Sequence, residues 1–255
     1  MRAQALPPRA GWRWLTEGYA LYRRNPPLMM ALAASYWLSL LLLLLVPGVG
    51  VLLSYLAMPV LGVGLMNACR DLSWGKPVAP SAAFSGTRQN LRGLLILGGL
   101  YFVSVLVALA LTMLVDGGEL MRQSITPKPD DKLGSEDGLL ARLVLMLALL
   151  PVMMAWWFAP VLAAWHALPP VKSLFFSLVA CWVNWRPFLV YALAVGLYGL
   201  LLPAVFLIVV GATAPGAMRL ATSVLIIPIL IVLVPTLFAS FYVCYRDVFG
   251  VDERV

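Results

Sequence analysis

Apolar residues run along this chain in six long blocks, at 28–46, 49–66, 93–115, 139–163, 188–210 and 219–243. Crossing a hydrocarbon core of about 30 Å takes roughly 20 residues of helix, and each block comes close to or exceeds that. None alternates residue by residue, so the pattern predicts spanning helices and excludes a membrane β-barrel. Only Pro47-Gly48 separates the first two blocks, which leaves room for a turn and makes them an antiparallel hairpin.

The polar positions between the blocks suggest a repeat. Short stretches precede the first, third and fifth blocks, and each carries an asparagine near its end: Asn25, Asn90 and Asn184. The second block of each pair carries a proline: Pro59, Pro160 and Pro235. Arg70-Asp71 and Arg246-Asp247 follow the first and third of these prolines at equal distance. Lys172, with no acid beside it, stands at the matching place after Pro160. The pattern predicts one all-α, polytopic membrane domain over 1–255, built as three parallel helical-hairpin repeats with juxtamembrane interfacial helices. The units cover about 12–71, 79–168 and 169–247, with an outer loop at 116–138. A proline inside a span frees a carbonyl that must find another partner. Pro59, Pro160 and Pro235 are therefore candidate kink positions, or the lining of a groove between repeats.

Two of the connecting stretches read as helices in their own right. Residues 171–185 place Val171, Leu174, Phe175, Leu178, Trp182 and Trp185 along one helical face, a segment expected to be embedded between the interface and the protein. Residues 13–24 read as a weak interfacial amphipath.

Composition agrees with the pattern. The 255 residues are 62% hydrophobic and 11% charged, with a mean hydropathy of +0.94, where a soluble chain carries roughly 25% charged residues. Cytosolic enzymes, secreted disulfide scaffolds and nucleic-acid-binding domains are excluded, despite a net charge of +7. Thirteen of the 18 Lys and Arg fall on the side that holds both chain ends, while six of the 11 acids fall on the other. Because basic loops stay in the cytoplasm, both termini are expected there, in a bacterial inner membrane. No cleavable signal is expected, since the first block is long enough to span. Arg23-Arg24 is followed by Asn25-Pro26-Pro27 and reads as retention charge rather than a twin-arginine signal.

The chemistry-bearing residues are few. Apart from Arg142 near an outer end, the span cores contain no charged residue and no histidine, which argues against a proton-coupled pump. A single histidine, His166, rules out paired-histidine metal sites; a catalytic pairing with Asp71 or Asp247 is the one arrangement that geometry would permit. Cys69, Cys181 and Cys244 all fall at the reducing ends of spans and are expected to be free. No cofactor or metal is expected. Six of the nine tryptophans (Trp12, Trp14, Trp74, Trp165, Trp182, Trp185) lie at the basic rim, where aromatic rings anchor helix ends and Lys and Arg attract anionic headgroups. Arg23, Arg24, Arg186, Trp182 and Trp185 are the candidate lipid-headgroup contacts. Small residues four apart (Ala31, Ser35 and Ser39; Gly64 and Ala68; Ala192 and Gly196) suit close helix packing, within the chain or in a homo-oligomer.

The segments Gly11-Trp12-Arg13-Trp14, Arg24-Asn25-Pro26, Trp157-Phe158-Ala159-Pro160, Trp165-His166 through Phe176, and Tyr245-Arg246-Asp247 occur in order along the chain. In these the chain resembles a family of uncharacterised six-span inner-membrane proteins of Gram-negative bacteria, known only as hypothetical transmembrane proteins. A looser similarity is to the membrane domain of some glycerophosphodiester phosphodiesterases, whose catalytic domain this chain lacks. The resemblance implies an inner-membrane location and a six-helix fold, with no site residues. The expected function is a non-catalytic component that interacts with membrane lipids, anionic at the cytoplasmic face, or organises a partner protein. The alternative is a small permease for an amphiphilic or apolar solute.

Overall fold

The structure, a computed structural model, describes residues 3–119, 122 and 136–250. Most of the 116–138 loop lies outside the described residues, as do Arg2, Lys128, Lys132 and Arg254. The described chain is helical, with no strand. Six helices are long and apolar enough to cross a membrane: α2 (Pro26–Leu44), α3 (Gly50–Ser73), α4 (Leu91–Asp116), α5 (Glu136–Trp165, apolar from Leu139), α7 (Trp185–Thr213) and α8 (Met218–Phe249). Two shorter helices, α1 (Ala10–Tyr22) and α6 (Pro170–Val183), precede the first and fifth spans. A 3₁₀ segment, Pro80–Arg88, precedes the third.

The expected spans are present, and the local sequence explains where they begin. The Asn25 side chain accepts from the Leu28 N–H at 3.2 Å, with two prolines at the first helical positions of α2. That is the combination a helix start favours. Asn90 holds a left-handed conformation (φ 43°), accepts from Gly93 N–H, and donates to the Ala163 carbonyl near the end of α5 at 2.9 Å. Asn184 gives α7 no side-chain cap. Its amide instead receives Leu6 N–H and donates to the Gln4 carbonyl, both at 2.9 Å, tying the N-terminal segment down. Gln4 N–H in turn donates to the Val248 carbonyl at 2.8 Å, so both described chain ends share one face.

The tightest core sits in the half of the bundle nearest that face. There Phe158 of α5 meets Phe188, Phe241, Tyr245 and Phe249 at ring separations of 5.3–6.1 Å. Toward the opposite face the helices present large apolar side chains outward, as spans in lipid do.

An inserted side chain and two prolines shape the helix interiors. In α5 the Ser177 hydroxyl of α6 accepts from Phe158 N–H and donates to the Met154 carbonyl, each at 2.8 Å. One α6 side chain thus serves both groups that a Phe158-to-Met154 bond would pair, and so ties α5 to α6. In α7 and α8 a wide π turn (Leu197–Leu201 and Ile229–Leu233) ends two residues before a proline, Pro203 and Pro235. Widening the turn moves the preceding carbonyls away from the proline ring.

Helix α6 packs through its small residues. Its buried side is Ser173, Ser177, Ala180 and Cys181, set against α5, while Val171, Phe175 and Trp182 point outward. In a bilayer small residues gain from close helix approach, and large apolar ones gain nothing by leaving lipid. Helix α1 is two-faced, with Trp12, Arg13, Thr16 and Tyr19 exposed. Ala10, Gly11, Trp14, Leu15, Gly18, Leu21 and Tyr22 are buried where α1 wedges between the near ends of α7 and α8. Two glycines permit this. A Cβ on Gly11 would strike the Pro187 carbonyl of α7, and one on Gly18 would lie 2.6 Å from the Ser240 backbone of α8.

Candidate functional site

The face that carries both chain ends holds a connected polar layer. Asp247, at the end of α8, accepts from Arg13 at 2.6 Å and from the Trp14 indole at 3.2 Å through one carboxylate oxygen. Its other oxygen accepts from Arg246 at 3.0 Å, and Arg246 also donates to Glu17 at 2.6 Å. Two bases and two acids thus fasten α1 to α8. Arg70 stacks over the Trp165 ring at 4.6 Å, and the Trp165 indole donates to Asn67 at 2.8 Å. His166 Nε2 pairs with the Tyr245 hydroxyl at 2.7 Å, and partial burial lowers its pKa below the ordinary 6.5. The imidazole therefore faces a phenol: Asp247 is engaged with α1, and Asp71 lies beside Arg70 at 3.8 Å. Burial pushes the Cys181 thiol up to about 12, and all three cysteines are buried and free.

The candidate headgroup residues divide. Trp182 and Trp185 are 72% and 55% exposed, and the exposed Arg186 guanidinium lies over the Trp185 ring at 5.4 Å. These three form an outward basic and aromatic patch where α6 meets α7. Arg23 is exposed and stacks on Tyr19 at 6.0 Å. Arg24, also exposed, donates to the Leu72 and Ser73 carbonyls at 3.3 and 2.8 Å, and so closes the last turn of α3. Of the six rim tryptophans, Trp14 is fully buried in the core.

Pro59 is buried, and the Tyr55 carbonyl its ring frees is met by Gly98 of α4, where a Cβ would stand 2.5 Å away. Pro235 is buried behind its π turn, and Pro160 is half-buried within α5. Ala192 is exposed, and Gly196 has open space beside it.

A cleft of about 620 Å³ opens instead between α1, α7 and α8. Trp12, Thr16 and Tyr19 of α1 roof it; Tyr198, Pro203 and Phe206 form one wall, and Leu225, Pro228 and Val232 the other. Pro59, Pro160 and Pro235 do not line this cleft. The wedging of α1 holds α7 and α8 apart near the roof, and the two helices close on each other toward their junction at 213–218. No charged side chain lines the cleft. Thr236, one of its lining residues, is 4% exposed, and its hydroxyl finds no hydrogen-bond partner among the described residues. The one sequence sign of this cleft was a pair of prolines, Pro203 and Pro228, outside the repeat spacing. Nothing in the sequence showed that α1 would prise the two spans apart.

Over 96% of its length the chain is 40% identical to a probable inner membrane protein of Burkholderia thailandensis, covering 93% of that protein. No protein-family model matches the chain. No solved structure matches it either.

Proposed function

Since this chain belongs to the same family as the probable inner membrane protein of Burkholderia thailandensis, we propose that it is a non-catalytic component of the bacterial inner membrane that binds lipid headgroups through its basic, aromatic rim. The observation that carries this reading is the outward patch of Trp182, Trp185 and Arg186. Large amphipathic rings beside an unburied guanidinium suit the headgroup layer, and each basic group near an anionic surface contributes about 1 kcal/mol. Arg23 on Tyr19 supplies a second such site. The three successions of a short helical segment and two spans support one membrane unit of three hairpins. The basic excess around both chain ends supports placing that face in the cytoplasm.

The test is native mass spectrometry of the protein extracted from its own membrane, comparing the wild type with the Arg23→Glu, Arg186→Glu double variant. Retained anionic phospholipid falls in the variant while its Tm is unchanged. Equal retention overturns the reading. Stoichiometric co-purification of a second protein, with no bound lipid, replaces it with a partner-organising role.

A further inference from the structure

We propose that the cleft walled by α7 and α8 and roofed by α1 is a binding site for one acyl chain of a bilayer phospholipid. The Thr236 hydroxyl, sealed within the wall while the cleft is empty of lipid, rotates to donate to that lipid's ester carbonyl, and Arg23 stands beside its phosphate. The proposal rests on the lipid-binding reading above and adds to it a specific, stoichiometric site.

Three observations select this occupant. The first is place. Gly18 of α1 touches Ser240, and Thr236 lies one helical turn, about 6 Å, further along α8. The cleft therefore begins just beneath the polar face and runs along the spans toward Phe206 and Leu225. An ester at the depth of Thr236 would put the chain in the cleft and the phosphate level with α1.

The second is size and lining. A volume of about 620 Å³ is within the range of small-ligand sites, about 300–1,000 Å³. It would hold less than two turns of a partner helix about 10 Å across. It has no charge to receive a polar solute, whereas hydrocarbon surrounds the six spans and enters without desolvating anything.

The third is the unpartnered polar group. A buried hydroxyl without a hydrogen bond is costly; that of Thr236 is shut off from the cleft its residue lines, and a turn about χ1 would bring it to an ester carbonyl there. At the roof, Arg23 is held over Tyr19, whose own side chain lines the cleft. One cation thus stands where an anionic headgroup attached to that chain would emerge.

The experiment uses the full chain in vesicles of phosphatidylethanolamine with a minor fraction of phosphatidylglycerol, doped with phospholipid bearing a photoactivatable acyl chain. Adducts are mapped by peptide mass spectrometry. Labelling concentrates on 198–206 and 225–236, above the equally exposed apolar surface of α4 around Val103 and Val107. Filling the cleft with Val232→Trp lowers labelling of those two segments by about tenfold and leaves α4 labelling unchanged. Thr236→Val, which keeps the shape, also lowers cleft labelling, yet raises the Tm of the delipidated protein because a buried unpaired hydroxyl is gone. That opposed pair keeps the proposal testable if Val232→Trp fails to fold. Labelling no denser in the cleft than on α4 overturns it, as does labelling that Thr236→Val leaves unchanged. Neither result touches the rim reading, which Arg186→Glu tests by itself.

Discussion

Replacing Ser177 with alanine tests how α5 is held against α6. The Ser177 hydroxyl serves two backbone groups of the neighbouring helix, Phe158 N–H and the Met154 carbonyl, both at 2.8 Å, and is itself fully buried. If α5 cannot adjust, alanine leaves a donor and an acceptor unmet in a site water does not reach, and each such group costs about 1–3 kcal/mol. If α5 adjusts so that Phe158 N–H and the Met154 carbonyl satisfy each other, Phe158 must move within its ring cluster. That cluster is close-packed, with Phe241 at 6.0 Å and Phe249 at 5.3 Å, so the shift has its own cost. Partial relaxation puts the net loss at about 2–3 kcal/mol, and for a chain of this size that lowers Tm by roughly 4–12 °C. Thermal unfolding in detergent, followed by tryptophan fluorescence, reads the change. Ser173→Ala is the control, because that hydroxyl bonds only carbonyls at 3.2 and 3.5 Å at the start of its own helix. A Ser177→Ala protein as stable as the wild type would refute the reasoning, since it would mean the hydroxyl is no part of what holds α5 against α6.

Asp247→Asn removes the charge that holds Arg13, Trp14 and Arg246 together. With Arg13 half exposed, the cost should be about 2–3 kcal/mol, under the 3–5 of a fully buried pair, and faster tryptic cleavage at Arg9 and Arg13 would show α1 loosening. Gly18→Ala gains helix propensity of up to about 1 kcal/mol but drives a methyl into the Ser240 backbone, so a lower Tm is expected and a higher one would mean that α1 is not wedged there. His166 has its pKa lowered from 6.5, so the folded protein binds fewer protons than the unfolded chain between the two values. Its contribution is complete above about 6.5 and lost as pH falls through the folded-state value; Tm measured against pH should drop on acidification, and less so in His166→Gln.

The sequence by itself determined the class of protein and the number of its spans. A run of about 20 apolar residues has one stable outcome in a bilayer, because every backbone polar group must be satisfied within the segment. Capping was legible for the same local reason: Asn25-Pro26-Pro27 can open a helix whatever surrounds it. What the sequence could not decide was which face of each helix turns inward. In water the large apolar face packs in the core, whereas α6 turns Val171, Phe175 and Trp182 outward and buries its small residues. In lipid the choice falls to close approach and buried hydrogen bonds, and these depend on partners far off in sequence. Ser177 acts only because Met154 and Phe158 of α5 lie beside it. Gly11 and Gly18 let α1 enter the bundle only because Pro187 and Ser240 stand where a Cβ would be. The cleft belongs to the same class of facts. Pro203 and Pro228 stand in the sequence within two spans, but the space between α7 and α8 exists because α1, from the other end of the chain, holds the two helices apart.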